Sequence, residues 1–152
     1  MSVVFVDCDN SDPRNKIFSA IKAGKSAVRA EERMQKAVKA ILKKAPGFTT
    51  TKPHKAEDAK GYQIRFTVSK VESVGHRTNC GLNGAIAIYP LQKTKSGAEG
   101  VEMLTRSMTG NGWADGTSEN AILDCIEAIA EDLTTKAVPI MRTDFAKRHS
   151  PE

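Results

Sequence analysis

Residues 61–70 read GYQIRFTVSK, in which Tyr62, Ile64, Phe66 and Val68 alternate with the polar Gln63, Arg65, Thr67 and Ser69. A period of two belongs to a strand with one packed face and one wet face. Downstream, Gly75 to Gly81 reads as a turn region with His76-Arg77-Thr78-Asn79 at its tip. Leu82, Ile86 and Ile88 then alternate with Ala85, Ala87 and Tyr89 in a second strand, which Pro90 ends. After a loop over 93–100, Val101 to Thr109 reads as a third strand. Three consecutive strands make a meander, and half-polar strands require helices on one face only.

Upstream, VVFVD at 3–7 is a short apolar run, the pattern of a strand buried on both faces. Asp12-Pro13 is a helix-start signal. Beyond Gly24, an apolar stripe of Ala27, Ala30, Met34, Ala37, Val38, Ile41 and Ala45 recurs at helical spacing until Pro46-Gly47 stops it. Residues 49–60 read as a polar loop with a short extended piece. Past the third strand, Gly110, Gly112 and Gly116 bracket a loop that carries Trp113. Thr117 or Ser118 caps a second helix with the stripe Ile122, Cys125, Ile126, Ile129 and Leu133, closing near Val138-Pro139. Residues 140–152 read as one more helical turn followed by a frayed tail. The expected order is β-α-β-β-β-α. This is an α+β (mixed α/β) fold: a single sheet of about four strands packed on two helices, with residues 1–152 as one domain.

The chain has 152 residues, 39% of them hydrophobic, and a formal net charge of +5. That length excludes a large multi-domain enzyme. No run approaches the roughly 18 apolar residues that a membrane-spanning helix needs. The opening MSVVFVDCDN does not read as a signal peptide.

The charge is unevenly spread. Residues 14–45 carry ten Lys or Arg and two Glu, a net of +8, which leaves −3 for the rest. Lys25, Arg29, Arg33, Lys36 and Lys43 fall opposite the apolar stripe, whereas the second helix carries Glu119, Asp124, Glu127, Glu131 and Asp132. The plain reading sets the two helices side by side with complementary signs. The alternative is a polyanion-binding or nucleic-acid-binding face built on Arg29, Arg33 and Lys36. Helix-turn-helix and zinc-finger spacings are lacking, as are aromatic pairs on which bases would stack.

Cys8, Cys80 and Cys125 form no CxxC pair, and His54, His76 and His149 are scattered, so no metal site is expected. All three cysteines read first as small core residues, with a Cys80–Cys125 bridge open in an oxidising compartment. Asp7-Cys8-Asp9 after an apolar strand resembles the DxD nucleophile motif of haloacid-dehalogenase-like phosphatases, which implies magnesium-dependent phosphoryl transfer by Asp7 and Asp9. The same residues also suit turn and cap chemistry, and the alternating βα units of that family are absent. With no convincing acid, base or nucleophile set, the expectation is a non-enzyme without catalytic residues or cofactor. Trp113 reads either as an anchor for a partner's pocket or as a lid folded back on the core.

The segment order VVFVDCDNSDP (3–13), a long helix, AKGYQIRFTVSKVES (59–73), NGAIAIYPLQ (83–92), VEMLTRSMTGNGWADG (101–116) and AILDCIEAIAEDL (121–133) resembles a bacterial envelope α/β domain. This is the domain of the TolB N-terminus, the lipoprotein activators of penicillin-binding proteins and the curli secretion protein. The resemblance implies a periplasmic or outer-membrane-associated module that docks onto other envelope proteins without catalysis. Without it, a cytoplasmic protein is expected. The residues expected to meet a protein partner are Arg29, Arg33 and Lys36 on the basic helix, with Arg106 and Trp113 near the glycine loop.

Overall fold

The computed structural model describes residues 4–7, 25–51, 61–89 and 104–148. Its elements are β1 (Val4–Asp7), α1 (Lys25–Lys43), β2 (Phe48–Thr49), β3 (Gly61–Val74), β4 (Arg77–Tyr89), β5 (Leu104–Asp115) and α2 (Glu119–Arg148). The fold is α+β, as the alternation predicts. Among the described residues the sheet has five strands in the order β2-β1-β3-β4-β5, one more than expected because the extended piece after α1 pairs as β2. β1 runs parallel to both β2 and β3, and β3, β4 and β5 form the antiparallel meander.

Hydrophobic burial orients this sheet. Tyr62, Ile64, Phe66 and Val68 of β3 and Leu82 and Ile86 of β4 lie in the core with Met34, Val38, Ile126, Leu133 and Met141 of the helices. Both helices therefore cover one face. The β3–β4 register shifts between Val68 and Lys70, so Ser69 is the extra residue of a bulge. Alternation restarts one residue out of phase, and Val71 rather than Lys70 joins the core side.

Four sequence expectations are corrected. The turn from Gly75 to Gly81 shrinks to Gly75-His76, with positive φ at Gly75 (62°), the II′ hairpin pattern. The supposed tip residues Arg77, Thr78 and Asn79 already belong to β4. Gly110, Gly112 and Trp113 lie inside β5, not in a loop. A Cβ on Gly110 would meet Ile129 Cγ2 at 2.7 Å and one on Gly112 would meet Ile129 Cγ1 at 3.0 Å. These glycines let α2 press onto the strand, and their spacing mimics a loop only in sequence.

Helix α2 also passes through Pro139 to Arg148, so residues 140–148 continue the helix beyond the single further turn expected there. A helix-interior proline costs about 3 kcal/mol. Fixed contacts beyond it offset that cost: Met141 is fully buried, the Tyr62 hydroxyl donates to Asp144, and Arg142 donates to the Pro46 carbonyl at 2.9 Å while its guanidinium lies over the Phe48 ring.

The helix ends follow their expected chemistry. Ser118 caps α2, its hydroxyl accepting from the Ala121 amide at 3.3 Å. Gly47, at φ 87°, turns the chain after α1 towards β2. The helix signal at Asp12-Pro13 and the tail beyond Arg148 lie outside the described residues.

Candidate functional site

α1 and α2 lie side by side and run parallel, since Arg29 reaches Glu119 and Arg33 reaches Asp124 and Glu127 further along. The basic stripe thus faces acidic partners in its own fold. Arg33 is the centre of this network: it donates to Asp124 at 3.0 Å and pairs with Glu127 through its other terminal nitrogen. Burial works against its charged form, but Asp124 and Glu127 outweigh burial and hold the guanidinium above the usual arginine value. Lys36 adds a longer contact to Glu127 at 3.8 Å. Arg29 and Lys36 are exposed and loosely held, whereas Arg33 is half-buried. Arg29, Arg33 and Lys36 are therefore engaged with α2 carboxylates, the complementary pairing that their charge pattern allowed.

The opposite face of the sheet carries a different surface. Register places Asn79 of β4 beside Trp113 of β5, Arg77 beside Asp115, Gly81 beside Asn111 and Asn83 beside Thr109. Glu72, Lys70 and Thr67 of β3 continue the same rows. Trp113 is 59% exposed, so it does not fold back as a lid on the core. The Arg77 guanidinium sits 5.5 Å from the Trp113 ring centroid, on the diagonal neighbour position of an antiparallel pair. Val74, 47% exposed, ends β3 opposite Arg77. The result is an apolar and cationic spot at one end of an otherwise amide-rich and hydroxyl-rich face.

The hairpin tip is pinned to the start of α2. The Gly116 amide donates to the His76 carbonyl at 2.7 Å, and the Thr78 hydroxyl donates to the Gly116 carbonyl at 2.9 Å. Trp113 is thus presented from a braced strand end.

Arg106 is exposed but does not join Trp113. Seven residues separate them on β5, about 23 Å of strand, and an odd spacing sends their side chains to opposite faces. The expected pairing of Arg106 with Trp113 is corrected on this point. The sequence could not reveal it while 110–116 read as a loop.

Cys80 of β4 and Cys125 of α2 form a disulfide with Cα atoms 6.3 Å apart. Both are essentially buried, at 1% exposure. Cys80 and Cys125 are thus core residues, and they form the bridge that the sequence left open. Cys8 and Asp9 lie outside the described residues, and Asp7 closes β1. Among the described residues, no three His, Cys, Asp or Glu side chains gather into a metal-binding group. No helix among them is long and apolar enough to cross a membrane.

The sequence matches no protein-family model and no curated protein. Several solved structures align with the chain. A candidate lipoprotein of Caulobacter crescentus CB15 aligns over 86% of this chain and 90% of its own, with 15% identity and a TM-score of 0.43. A Xanthomonas campestris protein of the DUF330 family aligns over 76% of this chain and 64% of its own, at 12% identity and a TM-score of 0.45. A minor lipoprotein of Acinetobacter baumannii aligns over 77% of this chain and 86% of its own, at 14% identity and a TM-score of 0.41. All three are bacterial proteins, two of them described as lipoproteins, and none of their descriptions names the TolB, penicillin-binding-protein activator or curli secretion families.

Proposed function

We propose that this chain is a non-catalytic protein-binding module of the bacterial cell envelope, with Trp113 as its anchor. The observation that carries the reading is the exposure of Trp113 beside Arg77 and Val74 on the sheet face that α1 and α2 leave uncovered. Tryptophan and arginine are the side chains that most often dominate binding energy when a partner buries them. The Cys80–Cys125 bridge supports an extracytoplasmic location, because disulfides persist in oxidising compartments and are rare in the cytoplasm.

The polyanion reading through Arg29, Arg33 and Lys36 is less well supported, since Glu119, Asp124 and Glu127 occupy those cations. The experiment is site-specific photo-cross-linking in intact envelopes from a probe at position 113, with a probe at Ala40 on the helix side as control. A discrete adduct from position 113 alone, weakened in an Arg77→Ala background, supports the assignment. Equal, diffuse labelling from both positions refutes it.

A further inference from the structure

The last two turns of α1 carry a charge that the described residues do not neutralise. Among the described residues, ion pairing between the helices covers Arg29, Arg33 and Lys36. Further along, the Asp132 carboxylate is engaged by Lys136 of its own helix at 3.1 Å. Lys39, Lys43 and Lys44 are exposed, and none of them pairs with a carboxylate of the described residues. Lys36, Lys39 and Lys43 follow one another at spacings of three and four, a ridge of about 10 Å along the axis. Arg142 reaches the same end of the helix layer, since it donates to the Pro46 carbonyl just past α1. One cation at a helix C-terminus is explained by the macrodipole. The whole ridge is not.

We propose that this basic end of α1 seats the domain on a membrane surface of anionic lipid headgroups. Charge complementarity selects the occupant. Flexible ammonium groups act as point charges and need no fixed partner geometry, which suits a fluid headgroup layer. Exposed Ala40 between the lysines leaves the ridge free of bulky apolar side chains. The large exposed hydrophobic residues among those described, Val74 and Trp113, lie on the far side of the sheet, so bases would find no stacking platform here. The preference for lipid over nucleic acid also rests on the envelope reading above. The helix layer then faces the bilayer while the Trp113 face points away from it, free to take a protein.

The test is co-sedimentation of the full chain with phosphatidylcholine vesicles, with and without 30 mol% phosphatidylglycerol, at low and physiological salt. Binding is expected only to the anionic vesicles, weakening as salt rises. Lys39→Gln, Lys43→Gln and Lys44→Gln together should lower the partition coefficient roughly 100-fold, at about a fivefold factor per lysine. Trp113→Ala should leave it unchanged, which separates failure of this proposal from failure of the protein-binding reading. Circular dichroism confirms that the triple variant is folded. Equal binding to neutral vesicles, no binding at low salt, or wild-type binding by the triple variant overturns the proposal. So does tighter binding to a duplex oligonucleotide than to the anionic vesicles at the same salt.

Discussion

Removing the Cys80–Cys125 bridge should weaken the fold by an amount that its loop length sets. The cross-link spans 45 residues, and closing such a loop removes about 13 cal/mol/K of chain entropy from the unfolded state. At 25 °C that amounts to about 4 kcal/mol. Both cysteines are buried between β4 and α2, so a Cys80→Ala, Cys125→Ala variant keeps its packing partners and should still fold. With a urea slope of about 2 kcal/mol/M for a domain of this size, its midpoint should fall by roughly 2 M. Far-UV circular dichroism is the suitable probe, because Trp113 is already 59% exposed in the native state and reports unfolding poorly. Thiol titration of the denatured but unreduced protein should find one free cysteine of the three, and all three after reduction. Three free thiols before reduction in protein recovered from the envelope, or an unchanged midpoint in the double-alanine variant, would refute both the bridge and the compartment inferred from it.

Two further outcomes test the packing described above. Gly110→Ala places a methyl 2.7 Å from Ile129 Cγ2 and should cost about 1–3 kcal/mol in a denaturation midpoint, while Gly75→Ala, with open space around it, reports backbone strain alone. A double-mutant cycle with Arg33→Met and Glu127→Gln should give a coupling near 1 kcal/mol, the upper range for exposed pairs, because both side chains are partly shielded within one network; a coupling indistinguishable from zero would show the helices to be held by apolar packing alone.

The sequence made the sheet legible wherever one face is buried and the other wet. Tyr62 to Val68 carried the alternation because the helices cover only their side. It failed where glycine stands for contact and not for freedom. Gly110 and Gly112 look like a flexible turn, yet they are the floor on which Ile129 rests, and only the position of α2 reveals this. Gly81 misled in the same way: its missing side chain makes room for Asn111 and Ser69 on the other face, so the strand began four residues before Gly81 and not after it. Pro139 reads as a stop because local propensity cannot see Met141 and Asp144 being held from the far side of the core. For the surface, complementary helix charges were visible as a pattern. Which lysines remain after that pairing was not, since register between two helices is a tertiary fact.

The place of β1 in the sheet has a bearing on the order in which the chain assembles. β3, β4 and β5 are consecutive and pair through short-range contacts, so the meander and α2 can condense while the disulfide closes entirely within that part. β1 comes first in the chain but sits between β2 and β3, and its three register partners in β3, Gly61 to Gln63, are made more than 50 residues later. The edge of β3 therefore stays bare until β1 arrives, and only the docking of these four residues closes it to pairing with other molecules.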